Sequence, residues 1–141
     1  MELKENALTP GIYTDLREKV GFQKYDISDI EQALSGSLYS VVAFNEDLPV
    51  GIARVVGDGR VAFFIKDVVV DPDYQGLNIG HKIMENILGY IKSKACPNAV
   101  IGLMSTKGKE TFYESLGFIR RPTDSMGCGM VLTLNNDGIV P

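Results

Sequence analysis

KDVVVDPDYQGLNIGHKIMENIL, residues 66–88, is the stretch whose reading decides the fold. It runs without a break from an apolar strand, through a short loop closed by glycines, into an amphipathic helix. A strand that feeds a helix through such a loop aims a row of free backbone N–H groups and the positive end of the helix dipole at one point. That arrangement is a site for phosphate.

Working outward, the strand side reads VAFFIKDVVV, nearly all apolar, as expected for a central strand covered on both faces. Only Lys66 and Asp67 interrupt it, and the strand period puts them on opposite faces. Two strands precede it, at residues 39–44 and 48–56. The turn sequences Asn45-Glu46-Asp47 and Gly57-Asp58-Gly59 make the three an antiparallel meander. Gly51, inside the second strand, marks a bulge or a close approach.

On the helix side, Ile83, Met84, Ile87, Leu88 and Ile91 share one face, and Lys92 and Lys94 suit the negative end. Pro97 ends the helix, and residues 99–104 (AVIGLM) form another buried strand, so the crossover is parallel and right-handed. A short helix over 110–116 is stopped by Gly117. Residues 118–121 and 130–134 supply two last strands, and 135–141 reads as a frayed tail.

At the start of the chain a short strand precedes a helix with Thr9-Pro10 at its entry, ending at Gly21. A second helix spans residues 26–34, with Ser28 and Glu31 at capping-box spacing. Between them, Phe22 and Tyr25 either plug the core or line a pocket.

The 141 residues carry a net charge of −4 and are 45% hydrophobic. One domain over 1–134 with the tail 135–141 is expected. The acidic balance argues against a nucleic-acid or anionic-membrane surface, and nothing reads as a signal peptide or membrane span, so a cytosolic protein is expected. Cys96 and Cys128 are far apart and read as small buried thiols. With His81 the single histidine, no metal site is expected.

The loop is not G-x-G-x-x-G. Nor is it G-x-x-x-x-G-K-[ST], because Gly76 and Gly80 are one residue too close and His81 stands where lysine belongs. Gln75-Gly76-Leu77-Asn78-Ile79-Gly80 instead resembles the acetyl-CoA signature [QR]-x-x-G-x-[GA] of the GNAT superfamily of N-acetyltransferases. LPVGIARVV at 48–56, the strand at 65–72 and FYESLGF at 112–118 resemble further motifs of that family, in its order and spacing, closest to its small-amine acetyltransferases.

The resemblance implies an α/β fold: a mixed, mostly antiparallel twisted sheet of about six to seven strands, splayed at the centre and flanked by about four helices. It implies transfer of an acetyl group from acetyl-CoA to a primary amine of a small molecule by direct attack on the thioester. The backbone of Val68, Val69 and Val70 then pairs with the pantetheine arm, and the amides of Gln75, Gly76, Leu77, Asn78, Ile79, Gly80 and His81 hold the pyrophosphate. His81 reads as a helix-start residue within reach of a phosphate. Tyr113, from the FYE pattern, is the general acid that protonates the departing sulfur.

Two departures stand out. Asn78 occupies a glycine position, asparagine being the next most tolerant residue of positive φ. Thr106 and Lys109 stand where the family often has Asn and Ala.

Presenting a free amine at pH 7 costs roughly 4 to 5 kcal/mol for an alkylammonium of pKa about 10.4, which calls for a base or a desolvating pocket. Asp67 is the candidate base, since a carboxylate in an apolar strand needs a reason. The alternative is that it pairs with Lys66 or caps a neighbouring backbone.

Arg120 and Arg121 either bind an acceptor anion or are simply solvated. Residues 126–130 are a pliable acceptor wall or an ordinary loop. An acyl-CoA-binding sensor without catalysis, motivated by Asn78, and a protein N-acetyltransferase are the competing functions. Exposed apolar edges would permit a homodimer.

Overall fold

A computed structural model of the chain describes residues 1–135 and 138–140. Its contacts divide the chain into two compact units, residues 1–104 and 105–141.

The first unit is a five-stranded sheet in the order β1-β2-β3-β4-β5. Its strands are β1 Glu2–Glu5, β2 Tyr39–Asn45, β3 Leu48–Gly57, β4 Ala62–Val70 and β5 Val100–Leu103. The first three junctions are antiparallel and β4–β5 is parallel, so the expected meander and crossover are both present. The turn into β4 is held by Asp58, whose Oδ1 accepts from the N–H groups of Arg60, Val61 and Ala62 at 2.8 to 3.1 Å. Those amides pull the carboxyl below its usual range.

Helix α1, Pro10–Lys19, starts as its sequence dictates. Thr9 Oγ1 accepts from Ile12 N at 3.2 Å and proline fills the first turn. It ends in a paired backbone cap in which Phe22 N–H donates to Arg17 O and Gly21 N–H to Glu18 O. Gly21 takes the left-handed φ of 74° that this cap needs. Helix α2, Ile27–Ser35, corrects the capping expectation: Asp26 is the cap residue, and no side-chain cap bond forms. Ser28 and Glu31 therefore lie inside the helix, where they cannot form a capping box.

Helices α1 and α2 cover one face, where Tyr13, Leu16 and Ile30 close over Val42, Ile52 and Val69. Helix α3, Ile79–Lys94, covers the other with Ile79, Ile83, Met84, Ile87 and Ile91 all buried. Each such fully buried aliphatic side chain is worth about 1.5 to 3 kcal/mol of transfer free energy.

Gly51 is what lets α3 approach. A Cβ there would stand 2.6 Å from Ile83 Cδ1 and 3.3 Å from Val69 O. The β2–β3 register also shifts beside it, between Ala43 and Phe44, so both readings of Gly51 are realised.

Two strand expectations are corrected. The strands buried on both faces are β2 and β3, at the middle of the sheet, whereas β4 alternates buried with more exposed positions. Strand β5 lies at the sheet edge with Val100 exposed, because nothing in this unit pairs with its far side.

The second unit contains α4, Glu110–Glu114, and a separate hairpin of β6, Thr133–Asn135, with β7, Gly138–Val140. Residues 118–121 form no strand, and of 130–134 only the end does. The segment expected as a tail supplies β7 instead; residues 136, 137 and 141 of it lie outside the described residues. The expected strand total of six to seven is thus split between a sheet of five and a hairpin of two.

Candidate active site

The site begins where β4 loses its second partner. The parallel pairing of β4 with β5 covers only Ala62↔Val100 to Ile65↔Leu103. Beyond Ile65, β4 continues to Val70 on β3 alone. Within the first unit no strand pairs with β4 on the side away from β3 along Val68, Val69 and Val70, and an unpaired strand edge can take an extended ligand as an added strand.

The parting coincides with a bulge. Ile52 pairs with Val69 and Arg54 with Lys66, so Ala53 faces both Asp67 and Val68. Asp67 takes a left-handed φ of 57°, a conformation aspartate tolerates better than most residues. Lys66 points to solvent and Asp67 is buried, on opposite faces as the strand period requires.

What holds Asp67 was not foreseen. Its Oδ1 accepts a charged hydrogen bond from Arg17 Nη1 of α1, and its Oδ2 accepts one from Arg54 Nε at 2.8 Å. Its partner is thus neither Lys66 nor a nearby backbone. Arg17 Nη2 also donates to Gln23 O at 2.8 Å, and Arg54 Nη1 to Ser37 Oγ at 3.2 Å. The rings of Tyr13, Phe22 and Tyr25 lie 5.0, 5.2 and 5.3 Å from the Arg17 guanidinium. The aromatic loop thus neither simply plugs the core nor simply lines a pocket: Phe22 packs against the core, Tyr25 is exposed, and both cover an ion pair.

Burial first, and the Asp67 charge second, raise the Tyr13 phenol. A carboxylate with a guanidinium on each oxygen and 1% side-chain exposure is arranged to neutralise buried cations rather than to receive a substrate proton. The sequence did carry a signal: Arg54 is the single charge on β3 and Asp67 the single acid on β4, two apolar strands joined by one turn.

After β4 the chain turns at Asp71, itself 2% exposed. Its N–H donates to Val50 O at 2.8 Å, its Oδ1 accepts from Asp73 N at 3.0 Å, and its Oδ2 receives Lys19 Nζ at 2.6 Å. That lysine holds the Asp71 carboxyl below its usual range. With the folded value depressed, the pair stabilises the fold above about pH 4, the unfolded carboxylate range, and is lost as pH falls through the folded value.

The loop itself then follows. Gln75 Nε2 donates to Val70 O at 3.1 Å, tying the loop back to the strand. Gly76 and Asn78 take φ of 82° and 66°. Asn78 is the cap residue of α3, and its side chain makes no cap bond.

The first backbone bond into the helix runs from Lys82 N to Asn78 O, 3.2 Å. The N–H groups of Ile79, Gly80 and His81 thus have no acceptor within the helix. Gln75, Gly76, Leu77 and Asn78 are exposed, and Ile79 anchors the turn in the core. His81 lies one turn from Glu85, with Nε2 3.0 Å from its Oε1. The structure therefore joins residues 67–70 and 75–81 into one continuous surface of the first unit.

Tyr113 belongs to the second unit. It lies on α4 with its ring edge-on to Phe112 at 5.0 Å and Phe118 at 6.1 Å. Burial raises its phenol above the usual value. In the same unit Arg120 pairs with Glu114 at 2.5 Å and Arg121 Nε donates to Gly127 O at 2.6 Å. Met126 and Met130 are exposed, as is Cys128, which corrects its reading as a buried thiol. Cys96 is partly buried. Among the described residues no group of three or more His, Cys, Asp or Glu side chains is placed to hold a metal.

A mixed sheet that parts along one strand, with that strand running through a left-handed turn into an uncapped helix start, is the arrangement of an acetyltransferase-type α/β fold. The chain belongs to the GNAT acetyltransferases: the family model for the acetyltransferase (GNAT) domain matches residues 15–131.

Among curated proteins it is 36% identical over 110 residues to GCN5-related N-acetyltransferase 1, chloroplastic, of Arabidopsis thaliana, covering 77% of this chain and 55% of that protein. It is 32% identical over 123 residues to serotonin N-acetyltransferase 2, chloroplastic, of rice, covering 82% and 59%. The chain thus spans little more than half the length of these relatives.

Among solved structures it is similar to a probable acetyltransferase of unknown function from methicillin-resistant Staphylococcus aureus, with a TM-score of 0.84 at 30% identity, covering 94% of this chain and 98% of that one. A GNAT family acetyltransferase from Streptococcus pneumoniae gives a TM-score of 0.78 at 30% identity, covering 96% and 98%.

Proposed function

We infer that the protein is an acetyl-CoA-dependent N-acetyltransferase acting on a primary amine of a small molecule. The observation that carries this reading is the open edge of β4 leading directly into the α3 entry. Pantetheine pairs along Val68–Val70 and the pyrophosphate sits on the amides of residues 75–81, where the helix dipole and N–H groups supply the positive potential. The amine attacks the thioester carbonyl, the C–S bond breaks, and Tyr113 gives its phenolic proton to the thiolate.

A phenol raised by burial is kept in the protonated form this step needs. We assign the amine proton to solvent or to a group on the acceptor side rather than to Asp67, whose oxygens are both taken.

Support for a small acceptor comes from relatives named for such amines, the rice serotonin enzyme and a glucosamine 6-phosphate N-acetyltransferase of Trypanosoma brucei, 37% identical over 60 residues. The motive for a non-catalytic sensor was Asn78, and its left-handed φ leaves the amide row intact. We read the location as cytosolic. Among the described residues no helix is long and apolar enough to cross a membrane.

The test is an acceptor screen of amines with acetyl-CoA, read by release of CoA thiol, beside calorimetry of acetyl-CoA binding. Thiol release that depends on one amine class establishes the reading. Tight binding with no transfer to any amine establishes the sensor, and acetylated protein lysines found by mass spectrometry with no small-molecule turnover establish protein acetylation.

A further inference from the structure

The three residues with the open edge, Val68, Val69 and Val70, lie between two buried carboxylates, and both carboxylates are held by the last turn of the same helix. Arg17 of α1 binds Asp67 at one end, and Lys19, two residues on, binds Asp71 at the other. Arg54 backs the first contact from β3. The two contacts differ in exposure: the Arg17–Asp67 pair is buried on both sides, whereas the Lys19 side chain is 45% exposed and that of Asp71 only 3%.

We propose that α1 is a two-point clamp on the cofactor strand, with Lys19 a positioning residue that keeps Val68–Val70 extended when β5 has parted from it. The proposal rests on the acetyl-CoA reading above.

A strand with a single partner frays and twists at its open side. Here the stretch between the two carboxylates is only three residues long, and fastening both of its ends to a rigid helix removes most of that freedom before a ligand arrives. Ordering done in advance is not subtracted from the binding free energy. Lys19 serves this role without blocking the site, since it reaches Asp71 from the α1 face. Asp71 in turn spends its other oxygen on Asp73 N–H, so the strand end and the turn toward the glycine loop move as one piece. A nearly buried carboxylate also needs its counter-charge to remain in place.

The test compares Lys19→Met, Lys19→Arg and, as control, Lys24→Met, which breaks the exposed Lys24–Glu18 pair (3.0 Å) at the same helix end. Lys19 is exposed enough for the variants to fold. Two readouts apply: amide hydrogen exchange of Val68–Val70 without ligand, and acetyl-CoA affinity by calorimetry.

In Lys19→Met, exchange at those amides is expected to speed up about tenfold and Kd to weaken about fivefold, half of the tenfold change that about 1.4 kcal/mol brings. Lys19→Arg restores both, and Lys24→Met changes neither. Unchanged exchange, faster exchange with unchanged Kd, a uniform change across the whole sheet, or the same change in Lys24→Met would each overturn the clamp. If the unaltered protein binds no acetyl-CoA, the cofactor reading fails, and the exchange arm alone decides whether α1 holds the strand.

Discussion

Replacing Asp67 by asparagine separates a proton acceptor from an electrostatic pin. In the folded protein Asp67 sits between Arg17 and Arg54, each 7% exposed. Asparagine keeps the shape but removes the charge, and its amide nitrogen must face one of the guanidinium groups, donor against donor.

Breaking a buried pair by removing one partner costs about 3 to 5 kcal/mol, because the remaining charge is stranded. Against a total of roughly 5 to 15 kcal/mol for a domain, that is a large fraction. At about 2 to 4 °C per kcal/mol for a chain near 150 residues, the melting temperature should fall by roughly 10 °C.

The assay is denaturant unfolding together with turnover measured well below the transition. The second variant, Asp67→Asn with Arg17→Met, removes one stranded cation and should recover at least about 1 kcal/mol, a coupling typical of groups in direct contact. A variant with the original unfolding midpoint and a turnover loss of about 10² to 10⁴, the usual scale of a lost general base, would refute the pin and restore Asp67 as the base.

Tyr113→Phe should lower kcat by about 10²-fold with acetyl-CoA affinity kept. Because burial raises the phenol, the unaltered protein should hold the acid form until pH passes about 10 and then lose kcat, a limb absent from the variant. Gly51→Ala should destabilise by about 1 to 3 kcal/mol through the contact with Ile83 Cδ1. Adding Ile83→Val should cancel part of that loss in urea unfolding, and strict additivity would show that the contact is relieved elsewhere. Asn78→Gly should leave stability and cofactor affinity near their starting values, whereas Asn78→Val should cost about 1 to 2 kcal/mol for left-handed backbone. Equal behaviour of the two Asn78 variants in melting and calorimetry would contradict the left-handed cap.

What the chain determined by itself about this protein is what short-range chemistry dictates. The order strand, glycine loop, helix at 66–88, the meander before it, the Thr9-Pro10 helix start and the tolerance of Asn78 for positive φ are all matters of neighbours within a few residues. Side-chain period, turn residues and caps act over that distance, so the strand, the loop and the helix start with its anion site are legible, while the pantetheine edge along Val68–Val70 is what the family resemblance implies.

Only tertiary structure decided the rest. Asp67 meets Arg17 across 50 positions and Lys19 meets Asp71 across 52, and no local pattern encodes which charge will be carried to which. The same holds for β5, whose apolar run gives no sign that it becomes a sheet edge. Strand pairing and buried ion pairs are settled by which surfaces the packed layers bring together. At residues 66–88, sequence placed the strand, the glycine loop and the helix start; strand pairing decided where β5 parts from β4, and packing against α1 supplied what holds the strand.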